Sequence, residues 1–403
     1  MCKKILPLIL CSFFLVVFSC AETYNKDLIV LNNINDSLKT VYAPDKRVAR
    51  FDIGIHLKNN KLILEGESDQ PQAVEVLVDM AQNLGSDVEN KINVLPDSTV
   101  GKFQYAIVNN SVANIRSKPK HSAELATQAV LGTELKVLKI KGDFYLVQTP
   151  DGYISWVDHG GVKLMTPEEL EVWHEAEKII FTKSYGNVYK NEMSEFEKVG
   201  DIVLGSQLAV LKEFEGSFKV LYPDQRTGYV KKSECFLFNN WINEVQPSGD
   251  LLELYARELV GVPYLWGGTS SKGMDCSGFT KTVYLMNGFI IPRDASQQIM
   301  AGNDIDPKLD MSELKKGDLM FFGKKATDST RQRVTHVGIW LGNEKGEFIH
   351  ASGKVKIGSI KPESEYYDAF NKNRYLGSRR YLDAEDPLIM DLKKVSMISK
   401  LKS

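Results

Sequence analysis

The chain has 403 residues, with 50 Lys and Arg against 52 Asp and Glu, for a formal net charge of −2. That balance excludes a global field for nucleic acid or an anionic surface, and no basic run or nucleic-acid motif supplies a local one. With 43% hydrophobic and 25% charged residues, the composition is that of a globular protein, of two to four domains at roughly 100–200 residues each.

Met1-Cys2-Lys3-Lys4 is a short basic segment, and the apolar run from Ile5 to Phe18 has the length of a signal-peptide core, too short to span a bilayer. It ends in Val17-Phe18-Ser19-Cys20, which resembles a bacterial lipobox. Residues 1–20 therefore read as a lipoprotein signal with Cys20 lipidated. The expected location is exported, on a bacterial membrane, the outer one facing the periplasm. After Cys2, Cys11 and Cys20 are set aside, Cys235 and Cys276 remain. Two widely spaced cysteines are not a disulfide scaffold, and a free thiol in an oxidising compartment is expected to be buried or used. Cys235 lies in the apolar run Cys235-Phe236-Leu237-Phe238 and reads as core.

Residues 21–46 are polar and Asn-rich and read as a tether. Residues 47–96 read as a small α+β unit. Its expected strands are Val48–Leu57, Leu62–Glu67 and Ile92–Leu95. Its helix has the apolar face Ala73, Val74, Val76, Leu77, Met80, Ala81, Leu84, and Gly85 closes it. Residues 101–163 and 180–240 are β-rich and share an internal pattern. Gly132-Thr133-Glu134-Leu135-Lys136-Val137-Leu138-Lys139 returns as Gly205-Ser206-Gln207-Leu208-Ala209-Val210-Leu211-Lys212, which implies a duplicated small barrel. Between them, residues 164–179 hold a linking helix opened by Thr166-Pro167-Glu168-Glu169. Trp241–Gly249 reads as a linker, 250–383 as a mixed helix and strand domain, and 384–403 as a charged surface tail.

In the mixed domain a Gly-rich loop delivers Asp275-Cys276-Ser277-Gly278 to the start of an apolar helix whose buried face is Phe279, Val283, Tyr284 and Met286. A thiol in a first helical turn feels the positive end of the macrodipole, which favours thiolate, and free N–H groups there suit an oxyanion. Val334-Thr335-His336-Val337-Gly338-Ile339-Trp340 and Glu347-Phe348-Ile349-His350-Ala351-Ser352 read as a hairpin that sets His336 and His350 about opposite each other. One imidazole can deprotonate the thiol while the second orients it. The alternative of a zinc site lacks any close ligand pair, so no metal or other cofactor is expected.

Asp275-Cys276-Ser277-Gly278-Phe279, Thr335-His336-Val337-Gly338-Ile339, Phe348-Ile349-His350-Ala351-Ser352 and Gly317-Asp318-Leu319-Met320-Phe321-Phe322 together resemble the NlpC/P60 family of papain-like peptidases. Val112-Ala113-Asn114-Ile115-Arg116-Ser117-Lys118-Pro119 resembles the start of bacterial SH3-like domains. The resemblance implies an α+β chain in which two SH3-like barrels and the small N-terminal unit precede a papain-like catalytic domain. It implies Cys276 as nucleophile, His336 as base, His350 as orienting residue and Tyr264 at the oxyanion site, with Asp275 and Ser277 contacting substrate. The arrangement is similar to that of γ-D-glutamyl-diamino-acid endopeptidases of the dipeptidyl-peptidase VI type. Their substrates are peptidoglycan stem peptides, L-Ala-γ-D-Glu-diamino acid, with a free N-terminal amine. In Ile291-Pro292-Arg293-Asp294, Asp294 matches the residue that holds this amine. Tyr153 matches a pocket-closing Tyr of the first barrel, and Glu124 stands two residues before Ala126, where the family carries a Glu. A monomer held to the membrane by lipid alone is expected. Rival readings are an endopeptidase on intact glycan-attached peptides, a wall-binding protein with a dead catalytic domain, and an amidase or transferase on the same fold.

Overall fold

The computed structural model describes residues 26–395 apart from 60, 85, 86 and 193. The expected signal segment, Cys20 and the helix-closing Gly85 lie outside the described residues. Contacts group the chain into two units: residues up to Gly101 together with Gly152–Ile154, and the remainder.

In the first unit Phe51–Lys58 and Lys61–Ser68 form an antiparallel hairpin, and Val88–Val94 pairs parallel to the second strand. A parallel pairing needs a crossover, and the helix Pro71–Asn83 provides it, burying Ala73, Val74, Leu77 and Ala81. The expected tether is not extended: residues 26–42 are helical. Leu31 is fully buried, and Leu28, Ile34 and Leu38 pack beside it. The spacing of these four is helical, but it sits among Asn residues that read as linker composition. One of those polar residues is itself internal, since Asn35 donates from Nδ2 to the Ile53 carbonyl at 3.1 Å.

The second unit opens with two barrels of one design. The first runs in the spatial order Val162–Met165, Tyr105–Val108, Glu134–Lys141, Phe144–Gln148, Ile154–Asp158, Val112–Arg116, Leu125–Val130. The second runs Cys235–Leu237, Lys178–Phe181, Gln207–Glu213, Ser217–Leu221, Thr227–Lys231, Tyr185–Asn191, Ser194–Val203. In chain order both are seventh, first, fourth, fifth, sixth, second, third. The repeated octapeptide carries a bulge at the same place in each, between Val137 and Lys139 and between Val210 and Lys212. The linking helix is Pro167–Glu175, with Thr166 and Glu169 in a reciprocal capping box. Leu170 and Trp173 of this helix pack with Ile107 of the first barrel and Ala209 of the second.

The first part of the expected linker Trp241–Gly249 is helical, because the helix Phe238–Glu244 runs into it and buries Trp241 and Ile242 in the core of the catalytic domain. That core lies between the helix Cys276–Leu285 and an antiparallel sheet. The sheet order is Asn303–Asp304, Tyr375–Arg380, Leu319–Lys324, Arg333–Trp340, Glu347–Ser352, Lys354–Ser359. The expected helix face is buried, with Phe279, Val283, Tyr284 and Met286 at 0% exposure. Over its described part the C-terminal tail does not trail away, because Met390–Asp391 pairs with Phe289–Ile290 and Ile389 is buried.

Candidate active site

Asp275 caps the helix Cys276–Leu285, accepting from the Gly278 amide at 2.8 Å. A side chain on Gly278 would place its Cβ 2.0 Å from the Gly268 carbonyl, so the helix start can lie this close to the loop only with glycine there. The other carboxylate oxygen of Asp275 accepts from the Gly267 amide at 2.9 Å. Arg293, 1% exposed, closes on the same carboxylate with two bonds, of 3.0 and 2.7 Å. It also donates to the Ser277 hydroxyl at 3.0 Å and, from the catalytic domain into the first barrel, to Thr127 Oγ1 at 3.0 Å. This is a buried ion pair with its hydrogen-bonding capacity filled, the condition under which buried charge is tolerated. Through this network Asp275 and Ser277, 7% and 4% exposed, hold the loop that carries Cys276.

Cys276 is the first helical residue and is 7% exposed. Burial, then Asp275, push its thiol up to about 12, against the Val337 and Ser277 amides and Arg293. The macrodipole alone was expected to favour thiolate. Its usual effect of about 0.3–1 kcal/mol is less than one pKa unit, and burial outweighs it. The resting group is therefore a thiol.

His336 Nε2 and His350 Nδ1 are 2.7 Å apart. The strand register pairs Ile339 with Ile349 and Trp340 with Phe348, which by extension sets Gly338, rather than His336, across from His350. The two histidines are diagonal neighbours on one face, and they meet over Gly338 because it has no side chain to stand between them. Burial, His350, Arg374 and Lys356 hold the His336 imidazole well below its ordinary range. Burial takes His350 down to about 4, with Asp368 opposing and Lys356 and Arg374 assisting. Both rings are neutral at neutral pH. A thiol and a neutral imidazole can exchange a proton as sulfur attacks, with no ion pair formed beforehand.

Two contributors carried no sequence signal. With His336 donating from Nε2 to His350 Nδ1, His350 must carry its own proton on Nε2. That atom is buried and unpartnered among the described residues, and Asp368 Oδ2 lies 3.9 Å from it. Asp368 caps the short helix Ala369–Asn373. Arg374 donates to Thr335 Oγ1 at 2.9 Å and to Asn371 Oδ1 at 3.0 Å.

Tyr264 precedes the loop, half-buried, and its hydroxyl makes no hydrogen bond among the described residues. Burial, then Cys276 and Asp275, push the phenol up to about 12, so it stays a proton donor. Asp294 occupies the N-cap position of Ala295–Gln298, its amide donating to Gln297 Oε1 at 3.0 Å, with its side chain 28% exposed. Glu124 accepts from Trp266 Nε1 at 2.7 Å, which brings this barrel carboxylate to the nucleophile loop. Tyr153, half-buried, lies in the Gly152–Ile154 segment grouped with the N-terminal unit, where the Ile154 amide donates to the Arg47 carbonyl at 2.7 Å. Cys235 is core, 4% exposed, its thiol pushed up to about 12 by burial.

A cysteine on a helix start, packed against a sheet that presents a paired histidine system, defines a thiol hydrolase of papain-like plan. The NlpC/P60 family profile matches residues 261–380, and the profile of the bacterial dipeptidyl-peptidase SH3 domain matches 115–161. A γ-D-glutamyl-L-lysine dipeptidyl-peptidase of Bacillus cereus is 32% identical over 269 residues, 64% of this chain and 76% of that protein. Dipeptidyl-peptidase 6 of Lysinibacillus sphaericus is 25% identical over 274 residues, 65% of this chain and 94% of that one. The crystal structure of an NlpC/P60 family protein from Bacillus cereus matches with a TM-score of 0.57 at 27% identity, over 69% of this chain and 99% of that one. The chain belongs to the NlpC/P60 family of cysteine peptidases.

Proposed function

We propose that the protein hydrolyses the γ-D-Glu–diamino acid amide of peptidoglycan stem peptides whose N-terminal L-Ala amine is free. The Cys276 thiol passes its proton to His336 as sulfur attacks the γ-carbonyl. The Tyr264 hydroxyl and amides at the helix start take the oxyanion, and His350 orients His336. His336 then protonates the leaving amine, and water releases the acyl group. Asp294 and Glu124 are the carboxylates that take the substrate ammonium.

The observation that carries this reading is the seating of the first barrel on the nucleophile loop, with Glu124 on Trp266 at 2.7 Å. A carboxylate held beside the loop suits a peptide with a charged end, and the similarity to dipeptidyl-peptidases extends across both barrel and catalytic domain. The test compares L-Ala-γ-D-Glu-meso-diaminopimelate with its N-acetylated form, products read by mass. A charge-assisted bond that acetylation removes is expected to leave the free peptide strongly preferred. Equal cleavage of both excludes the free-amine reading and favours an endopeptidase of the intact wall. Export and anchoring through a lipid on Cys20 are part of the same proposal, and fatty-acid labelling of the chain should vanish in Cys20→Ala.

A further inference from the structure

Beside His336 and His350 lies a cavity of about 460 Å³, lined among others by both imidazoles, Lys356, Glu365, Asp368 and Arg374, the last of which is close enough to Cys276 to interact with it electrostatically. Its size falls in the range of about 300–1,000 Å³ usual for small-molecule sites. His336 must reach the nitrogen that leaves, so the departing amino acid has to lie against His336, which forms part of the wall of this cavity.

The charges of the walls define what it takes. Lys356 pairs across the sheet with His350 and therefore shares its face. It adds to the burial that lowers both imidazoles, yet makes no ion pair or hydrogen bond among the described residues. Arg374 spends Nε and Nη1 on Asn371 and Thr335, and its Nη2 donates to no group among the described residues. Asp368 is occupied, accepting from the Asn371 amide at 2.9 Å and from its side chain at 2.6 Å. Glu365 is exposed and has no such partner. The cavity thus offers two cationic groups and one carboxylate. A leaving meso-diaminopimelate presents two carboxylates and one side-chain ammonium, the complementary set. A leaving lysine presents one carboxylate and one ammonium, and would leave a cation of the wall unanswered.

We infer that this cavity is the leaving-group subsite, that Lys356 and Arg374 take the two carboxylates and Glu365 the ammonium, and that the enzyme selects diaminopimelate over lysine. The inference rests on the peptidase reading above, and the experiment separates the two. Full-length protein is assayed on L-Ala-γ-D-Glu-meso-diaminopimelate, on L-Ala-γ-D-Glu-L-Lys, and on L-Ala-γ-D-Glu γ-p-nitroanilide, whose leaving group carries no charge. The native protein should favour the diaminopimelate peptide over the lysine peptide at least tenfold in kcat/KM. In Lys356→Met that ratio should collapse toward one, mainly through KM for the diaminopimelate peptide. In Glu365→Gln both peptides should lose, because both leaving groups carry the ammonium. Because the Lys356 result is read as a ratio of two substrates, a general effect of the lost cation on the imidazoles cancels from it. Cleavage of the anilide together with equal use of the two peptides, or a ratio unmoved in Lys356→Met, overturns the subsite and leaves the peptidase reading standing. No cleavage of any of the three overturns both.

Discussion

At the scale of single residues, His350 is a base kept out of water and therefore kept neutral. The unfolded chain binds a proton at this position near pH 6.5, whereas the folded protein does not until about pH 4. Protons thus bind preferentially to the unfolded state between those values. The stability is whole above pH 6.5, declines as pH falls through the window, and levels off below about 4. The depression corresponds to a loss of roughly 3 kcal/mol, with His336 adding in the same direction. Urea unfolding at pH 7, 5.5 and 4.5 should show this decline, and His350→Gln should flatten it relative to the native protein. Parallel slopes for the two proteins would assign the acid sensitivity to other groups. Cys276→Ala should lower turnover at least about a thousandfold with little change in Tm, since the swap leaves the Asp275 cap and the helix intact. Retention of more than a few per cent of activity would remove Cys276 from the role. Cys276, His336 and His350 were legible because each stands in a short motif with its own local structure. Asp368 was not, because it acts across a gap from a loop with no periodicity. The pairing of Asp275 with Arg293 was not legible, because the sequence shows a carboxylate beside the nucleophile but not which cation closes on it.

At the scale of elements, the histidine pair depends on what is missing between its members. Gly338 would carry a Cβ 3.2 Å from that of His350, 3.1 Å from the Phe348 ring and 3.1 Å from the Ile349 carbonyl. Its backbone is ordinary strand, so alanine is not forbidden by conformation, and the cost falls on the neighbours. Gly338→Ala should shift the His350 strand by a few tenths of an ångström and lengthen the His336–His350 bond. The expected result is a kcat loss of tenfold or more with a stability cost of about 1–3 kcal/mol, the range for an overpacked interior. A variant with native kcat would show that the two rings do not need this spacing. The motif made Gly338 visible, but the sequence could not say that the register puts it across from His350. The same limit applies to residues 26–42, whose polar composition argued for a tether, and to Trp241–Gly249, which read as a linker. A few apolar residues, Leu31 in one and Trp241 with Ile242 in the other, are enough to bind each to a core.

At the scale of the molecule, the duplication was readable because both copies keep the same octapeptide, and the bulge in each falls within it. The docking of the first barrel was not readable, because strand periodicity tells which residues alternate and not which face meets another domain. Attention falls on Glu124 and Ala126 in that stretch, whereas Thr127 and Gln128 make the buried joint. Gln128 is 6% exposed. Its Oε1 accepts from the Thr269 amide and the Ser270 hydroxyl, both at 3.0 Å, and its backbone carbonyl accepts from Thr269 Oγ1 at 2.8 Å. Lys281 of the nucleophile helix adds an ion pair of 2.8 Å with the buried Asp151 of the same barrel. A barrel joined in this way is a wall of the nucleophile loop. A barrel that only tethered the enzyme to its polymer could be perturbed without effect on a small soluble peptide. Gln128→Leu separates these cases, because it keeps the volume nearly constant and leaves the Thr269 amide buried without its partner, at a cost of about 1–3 kcal/mol. Tm should fall accordingly. On the soluble peptide L-Ala-γ-D-Glu-meso-diaminopimelate, kcat/KM should fall tenfold or more, because the loop that positions Cys276 loses an anchor. A fall in Tm with kcat/KM unchanged would mean that the joint stabilises the fold without shaping the site, and would return the first barrel to the role of a tether.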